Sequence, residues 1–172
     1  MDVAAAGLIL DDRPAPTLSI RAARASDVAE LVRVLVSSRR EFLSYAPLAH
    51  DDDDIARWMD GLLRREEGVT IACMDGQALG ILVLFSGPEA GWIEQLYLAP
   101  GHTGKGIGSR LLAHALQALP GILPVRLYTF QANTGARRFY ERHGFKAIVF
   151  GDGTGNEERC ADVLYEREPS SR

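Results

Sequence analysis

Three glycines at alternate positions, Gly104, Gly106 and Gly108, follow a strand-like run that ends at Ala99 and introduce a helix-like run that begins near Ile107. A helix that begins in this way leaves its first backbone N–H groups without partners, with the positive end of the helix dipole behind them. A side chain at these positions would hold a bulky anion away or forbid the turn. The loop therefore predicts a strand, turn and helix that together bind a phosphate group.

Two well-known phosphate loops do not fit this spacing. The nucleoside-triphosphate loop has four residues between its first glycine and a Gly-Lys pair that precedes Ser or Thr, whereas Gly106 follows Lys105 here. The dinucleotide fingerprint needs Gly-x-Gly-x-x-Gly and an acidic residue about 20 positions later. Here the glycines alternate, and the next acidic residue is Glu141. Neither pattern identifies the phosphate ligand.

The rest of the chain alternates between strand-like and helical patterns. A strand-like run over 17–23 precedes a helix that begins at Ser26-Asp27 and a second helix over 50–68. Three strand-like runs follow, then the helix after the glycine loop, a strand, a helix capped by Asn133, and two final strands. The order β-α-α-β-β-β-α-β-α-β-β predicts an α/β domain with a mixed, mostly antiparallel sheet and helices on both faces.

Composition limits the class of protein. The chain has 172 residues, 47% of them hydrophobic and 24% charged, which suits one domain, predicted over 17–168. The preceding 1–16 is expected to be a flexible extension, since it lacks the basic leader of a secretory signal. No window reaches the roughly 18 consecutive apolar residues of a membrane helix, and Cys73, Cys160 and the four histidines lack metal-ligand spacing. We therefore expect a cytoplasmic protein with no membrane association and no metal site.

Charge is unevenly distributed along the chain. The formal net charge of −4 argues against a nucleic-acid binder. Between Gly101 and Lys146, however, seven basic residues accompany a single acid, Glu141. A polyanionic ligand bound by this segment would explain the asymmetry. A solvated basic face, balanced by acidic loops elsewhere, is the alternative.

Two stretches resemble the signatures of one known family. The acetyl-coenzyme A loop of the GNAT superfamily of N-acetyltransferases is similar to "LYLAPGHTGKGIGSRLL", and the second signature of that family resembles "NTGARRFYERHGF". The two stretches occur in the order found in the family, and the similarity runs from about Ser19 to Glu166. The resemblance implies the GNAT fold, acetyl-coenzyme A as the cofactor, and acetyl transfer to a primary amine.

The resemblance also implies which residues bind the cofactor. Its pantetheine arm would pair with the backbone of the strand before the loop, where an N–H near Leu98 would stabilise negative charge on the thioester oxygen. Thr103 replaces the Gln or Arg that is usual in the family, and Lys105 or Arg138 could supply the missing contact. The implied cofactor-binding residues are Leu96, Leu98, Gly104, Lys105, Gly106, Ile107, Gly108, Ser109, Asn133 and Tyr140.

Acetyl transfer to an amine requires two proton movements. An alkyl amine with a pKa near 10.4 is neutral in only about one molecule per thousand at pH 7, so a base must remove a proton before attack. Glu94 is the candidate base, directly or through water; the alternative is a strand carboxylate that faces solvent. Tyr140 occupies the position usual for the general acid in the family and can hydrogen-bond the departing sulfur. Its alternative role is packing in the core.

The acceptor is predicted from charge and from the resemblance, which puts it near the first two helices and the last two strands. An acidic loop there would attract a cationic amine, unless its carboxylates are hydrated or paired with arginines of the protein. We expect a small cationic primary amine to attack directly in a ternary complex; a non-catalytic coenzyme A-binding module and a protein or peptide acetyltransferase are the alternatives. A C-terminal edge strand would also allow a homodimer. The candidate acceptor residues are Phe42, Tyr45, His50, Glu157 and Glu158.

Overall fold

A single seven-stranded sheet organises the computed structural model, which describes residues 17–64 and 68–169. The extension expected over 1–16 lies outside the described residues. The strands are β1 (Ser19–Ala22), β2 (Gly68–Met74), β3 (Gln77–Ser86), β4 (Gly91–Leu98), β5 (Val125–Phe130), β6 (Lys146–Phe150) and β7 (Asp162–Arg167). The helices are α1 (Val28–Phe42), which follows a short 3-10 turn, α2 (Asp52–Arg64), α3 (Ile107–Ala118) and α4 (Thr134–Arg142).

The strands lie in the order β1-β2-β3-β4-β5-β7-β6. Neighbouring strands pair antiparallel, except that β4 and β5 pair parallel. These observations confirm the predicted α/β class, the order of elements and the mixed, mostly antiparallel sheet.

Both faces of the sheet are covered by helices, as predicted. Alternate residues of a strand point to opposite faces, and β3 shows this directly: Ile81 belongs to the core cluster with α1 and α2, whereas Leu82 belongs to the cluster with α3 and α4. Fully buried side chains anchor each layer. They include Leu31, Met59 and Ile81 in the first cluster, and Leu82, Leu112 and Tyr165 in the second.

The parallel strands β4 and β5 separate soon after they meet. Their pairing is confined to Gly91 with Val125 and Trp92 with Arg126, although β4 continues to Leu98. On its other side, β4 stays paired with β3, with one irregularity. Residues 96–98 of β4 therefore have a hydrogen-bonding edge that no strand of the described residues covers, and this edge faces the gap that the separation creates.

Among the helices of the described residues, none is long and apolar enough to cross a membrane. A search of the same residues for groups of three or more His, Cys, Asp or Glu side chains that could hold a metal ion found none.

Candidate active site

The separation of β4 and β5 opens a cleft of about 1390 Å³. One end is formed by the glycine loop, the first turn of α3 and the start of α4; the other is formed by the end of α1 and the loop between β6 and β7. The cleft thus joins the two regions that the sequence associates with cofactor and acceptor. The predicted site residues that line it are Phe42, Glu94, Leu96, Leu98, Gly104, Gly106, Gly108, Ser109, Asn133, Tyr140 and Glu158.

The glycine loop has the backbone conformation that its sequence predicts. Gly104 and Gly106 have φ of +73° and +80°, in the left-handed region that favours glycine. A Cβ atom at either position would meet no atom within 4 Å, so it would project into open space beside the cleft. Glycine at both positions keeps the backbone accessible to a ligand.

The first turn of α3 has free backbone donors. Gly106 is the N-cap and supplies no side chain, and the first helical hydrogen bond runs from Arg110 N–H to the carbonyl of Gly106 at 3.1 Å. The amides of Ile107, Gly108 and Ser109 therefore have no acceptor within the helix. With the helix dipole behind them, they form an anion cradle at one end of the cleft.

Two residues of the predicted cofactor set lie outside the cleft lining. The side chain of Ile107 is buried in the core beneath α3, so only its backbone can take part in binding. The side chain of Lys105 is exposed.

Asn133 caps α4. Its Oδ1 accepts a hydrogen bond from the N–H of Ala136 at 3.1 Å, which satisfies one of the free donors at the helix start. The same residue lines the cleft. The capping role is therefore observed, and it leaves room for a direct contact with a ligand.

The ring of Tyr140 is buried, and the residue also lines the cleft. Its ring packs edge-on against Phe139 and Phe145, with centroids 5.2 and 5.6 Å away. No group in the described part of the chain hydrogen-bonds its hydroxyl. Burial, with a smaller effect from Tyr97, raises the pKa of the Tyr140 phenol well above its ordinary value. The hydroxyl is therefore a protonated donor at neutral pH.

Glu94 lies at a β-bulge. Val83 pairs with Gln95 and Leu84 pairs with Ile93, so Glu94 is the extra residue between them. Its side chain is exposed and lines the cleft, and among the described residues it has no hydrogen-bond or ion-pair partner. The bulge thus leaves this carboxylate accessible from the cleft.

Arg39 and Tyr97, which the sequence analysis did not select, meet Glu158 at the other end of the cleft. Arg39 Nη2 donates to Glu158 Oε1 at 2.8 Å, and their side chains are only 11% and 18% exposed. Arg39 Nη1 lies 3.5 Å from the Tyr97 hydroxyl, and burial raises the pKa of Tyr97. The three residues belong to α1, β4 and the β6–β7 loop, so no local sequence signal joins them.

A second contact joins the β6–β7 loop to the connection between α1 and α2. His50 Nε2 lies 3.0 Å from Glu157 Oε2, and both side chains are exposed. Nearby, the ring of Tyr45 packs edge-on against Phe130, with centroids 6.1 Å apart. The two loops therefore meet at Tyr45, His50 and Glu157, and these residues do not line the cleft itself.

The cleft between the separated strands thus has free backbone donors for an anion at the start of α3 and an accessible carboxylate at Glu94. The chain belongs to the acetyltransferase (GNAT) family, whose model matches residues 31–145. It is therefore an acyltransferase that depends on acetyl-coenzyme A. The resemblance carried by the two signatures is confirmed.

Curated relatives support this assignment. The chain is 33% identical over 150 residues to an uncharacterised N-acetyltransferase of Archaeoglobus fulgidus, a match that covers 81% of this chain and 100% of the relative. An uncharacterised N-acetyltransferase of Mycobacterium tuberculosis is also 33% identical, over 94 residues that cover 53% of this chain and 60% of the relative.

Solved structures share the fold at lower identity. PaiA N-acetyltransferase from Thermoplasma acidophilum, in complex with coenzyme A, has a TM-score of 0.65 and 22% identity, covering 88% of this chain and 99% of that chain. Arabidopsis thaliana Naa50, in complex with the bisubstrate analogue CoA-Ac-MVNAL, has a TM-score of 0.68 and 18% identity, covering 88% and 98%. These likenesses confirm the fold.

Proposed function

We propose that this acetyltransferase acts on a small cationic primary amine, which attacks directly in a ternary complex. One observation carries the proposal: the anion cradle of α3 and the acidic β6–β7 loop open onto the same cleft, on either side of the uncovered edge of β4. Both substrates can therefore bind at once.

The cofactor diphosphate binds the free amides of Ile107, Gly108 and Ser109 in this proposal, and the pantetheine arm follows β4. Ala99 N–H donates to Leu79 O at 2.9 Å, toward β3. Because successive amides of a strand point to opposite edges, the N–H groups of Leu96 and Leu98 point into the gap. They are available to pair with the arm and with the acyl oxygen.

Acetyl-coenzyme A supplies an activated acetyl thioester, and the protein supplies proton transfer and positioning. Glu94 takes the proton that the ammonium loses, directly or through water, so that a neutral amine can form the new C–N bond. Tyr140 hydrogen-bonds the sulfur that leaves with the electron pair of the broken C–S bond, and this thiolate takes the second proton, which the nitrogen loses as the amide forms. The unpartnered Tyr140 hydroxyl and the accessible Glu94 carboxylate support these roles.

The acceptor end of the cleft favours a small molecule over a polypeptide. The contacts of Arg39 with Glu158 and of His50 with Glu157 tie the β6–β7 loop to α1 and to the connection after it. An acceptor that crosses this end as an extended chain would meet the contact of Arg39 with Glu158, because both residues line the cleft. The carboxylate of Glu94 has no partner among the described residues and can attract a cation, whereas Arg39 already neutralises the carboxylate of Glu158.

An amine panel tests the proposed function. The full chain is incubated with acetyl-coenzyme A and small primary amines or N-terminal peptides, with free thiol and acetylated product measured together. We expect thiol release that depends on a small cationic amine, with a matching acetylated product. Coenzyme A binding without amine-dependent thiol release would instead support the non-catalytic module. Turnover of peptides alone would support the peptide acetyltransferase.

The proposal includes a homodimer and a cytoplasmic location. β6 is the outer strand of the sheet, and Ile148, Val149 and Phe150 on it are exposed. Such an edge can pair with a second copy of the chain. Cys73 and Cys160 are both free thiols, which suits a reducing compartment.

A further inference from the structure

His143 connects the end of α4 to the first turn of α3. Its Nδ1 lies 2.7 Å from the carbonyl oxygen of Phe139, and its Nε2 lies 3.1 Å from Ser109 Oγ. The ring also packs against the ring of Phe139, with centroids 4.4 Å apart. Three contacts thus fix the imidazole beside a hydroxyl of the anion cradle, although the proposed chemistry gives His143 no role.

The Phe139 carbonyl determines which imidazole nitrogen carries a proton. A carbonyl oxygen can only accept, so Nδ1 must be the donor to it. In the neutral ring, Nε2 then has only a lone pair, and it accepts the hydrogen of the Ser109 hydroxyl. Ser109 Oγ is left with lone pairs alone, which cannot donate to a diphosphate.

Protonation reverses this hydrogen bond. In the imidazolium form, Nε2–H donates to Ser109 Oγ, and the hydroxyl hydrogen becomes free to donate to an anion. A positive charge also lies next to the cradle. The charge state of His143 therefore determines whether Ser109 repels or binds a phosphate oxygen.

The charged groups around His143 are mostly basic or already engaged. Arg142 precedes it and lines the cleft, and Arg167 Nε of β7 donates to its backbone carbonyl at 3.2 Å. On α3, Arg110 donates to the carbonyl of Leu18 at 3.1 Å. The other charged residues close in sequence to His143 are Lys146 of β6 and Glu141, whose carboxylate accepts the Tyr165 hydroxyl at 2.6 Å, and Lys105 of the loop is close in sequence to Ser109.

Among the described residues, no carboxylate forms an ion pair with His143. An anionic ligand in the cradle would therefore be the counter-ion of its protonated form.

We propose that His143 is a positioning residue for the cofactor diphosphate, which it serves by turning the Ser109 hydroxyl into a donor and by taking up a proton as the ligand binds. The inference rests on the proposed diphosphate site at α3. Because the protonated form binds more tightly, affinity falls as the pH rises through the titration of the imidazole. By linkage, binding increases the protonated fraction of His143.

Calorimetry with dephospho-coenzyme A tests the inference, because this ligand keeps the diphosphate and lacks the titratable phosphate monoester. Protons taken up at pH 7 are measured in two buffers of different ionisation enthalpy, and Kd is measured from pH 5.5 to 8. We expect net proton uptake and a Kd roughly tenfold weaker at pH 8, as for the loss of one charge-assisted hydrogen bond. Both effects should disappear in His143→Gln and shrink in Ser109→Ala. They should persist in His114→Gln, a change on α3 outside the cleft lining.

NMR of the wild-type chain is a second measurement that needs no variant to fold. The protonated fraction of His143 at pH 7 should increase when dephospho-coenzyme A is added. No proton uptake and no NMR response, in a chain that binds the ligand, would overturn the inference. Gly106→Ala distinguishes failure of the inference about His143 from failure of the proposed cradle. If this variant leaves the Kd for dephospho-coenzyme A unchanged, the diphosphate binds elsewhere, and both the proposed site and the inference fail.

Discussion

At the scale of single residues, the two candidate catalytic side chains differ in how deeply they are buried. Tyr140 is 7% exposed, and its raised pKa keeps it protonated, whereas Glu94 is exposed at a bulge. Tyr140 is thus suited to donate a hydrogen bond to the departing sulfur, and Glu94 is suited to accept a proton from the amine.

Removing the Tyr140 hydroxyl should affect chemistry more than folding. We expect Tyr140→Phe to lower kcat by roughly 100-fold, the scale of a lost general-acid contact, with the KM for acetyl-coenzyme A little changed. Unfolding stability should change little, because the hydroxyl has no protein partner among the described residues. Steady-state kinetics and thermal denaturation measure the two effects.

Tyr165→Phe is the matched control. The Tyr165 hydroxyl donates to Glu141 at 2.6 Å and accepts from Arg137 at 3.2 Å, away from the cleft lining. Its loss should lower stability by about 1–2 kcal/mol and leave kcat nearly unchanged. Equal loss of kcat in both variants would contradict a catalytic role for Tyr140.

At the scale of elements, the helix start of α3 and the β6–β7 loop determine the two ends of the cleft. The first is built from backbone amides, and the second is held by ion pairs between side chains. Substitutions should therefore act differently at the two ends: conformation and access matter at α3, and charge matters at the loop.

Gly106→Ala tests the cradle. A residue with a Cβ is strained at φ of +80°, by about 1–2 kcal/mol, and its methyl group would enter the space that a diphosphate needs. We expect the Kd for coenzyme A to rise at least about tenfold, measured by calorimetry, which corresponds to losing about 1.4 kcal/mol of binding.

Gly101→Ala provides the comparison for this loop. Gly101 has φ of +75° and open space around a Cβ, but it does not line the cleft. It should show a similar loss of stability with unchanged coenzyme A binding. If the two variants bind equally well, the cradle does not hold the diphosphate.

Charge reversal at the β6–β7 loop tests acceptor recognition. We expect Glu157→Lys combined with Glu158→Lys to raise the KM of a cationic amine roughly tenfold, because two carboxylates near the acceptor end are replaced by positive charges that repel the amine. The Kd for coenzyme A should not change. Unaltered amine kinetics would contradict a role for this loop in binding the acceptor.

Single substitutions that remove one charge measure how much each contact of the β6–β7 loop stabilises the fold. Glu158→Gln removes the carboxylate from Arg39, whose Nε is already buried with no hydrogen-bond partner in the described part of the chain, and should cost about 1–3 kcal/mol of stability. Glu157→Gln, at the exposed contact with His50, should cost less than about 0.5 kcal/mol. Chemical denaturation of the two variants measures the difference.

At the scale of the whole molecule, the sheet order creates the site. β5 lies beside β4 in parallel, and the two strands separate because only their first residues pair. α3 and α4 lie on one face, and α1 and α2 on the other, so groups from both layers meet at the gap. The same order leaves β6 at the edge.

The exposed edge predicts self-association. Light scattering should give a mass near twice the 18.8 kDa of one chain, and Val149→Lys on β6 should reduce it to the mass of a monomer. Phe85→Lys, at an exposed aromatic residue of β3, is the control and should remain dimeric. A monomeric wild-type chain would contradict the homodimer.

Local patterns in the sequence were enough to predict the elements. The periodicity of apolar residues, the capping by Asn133 and the turn that requires glycine at Gly104 and Gly106 depend on neighbours within a few positions, and the structure agrees with each. The two signature stretches also identified the family before any contact was known.

Only the tertiary structure decided which distant side chains meet in the cleft or beside it. Arg39 and Glu158 are 119 positions apart, and Ser109 and His143 are 34 apart, yet each pair is in direct contact. Whether such residues meet depends on the sheet order and on where β4 and β5 separate. Those features arise from packing between elements, which the local periodicity of a sequence does not encode.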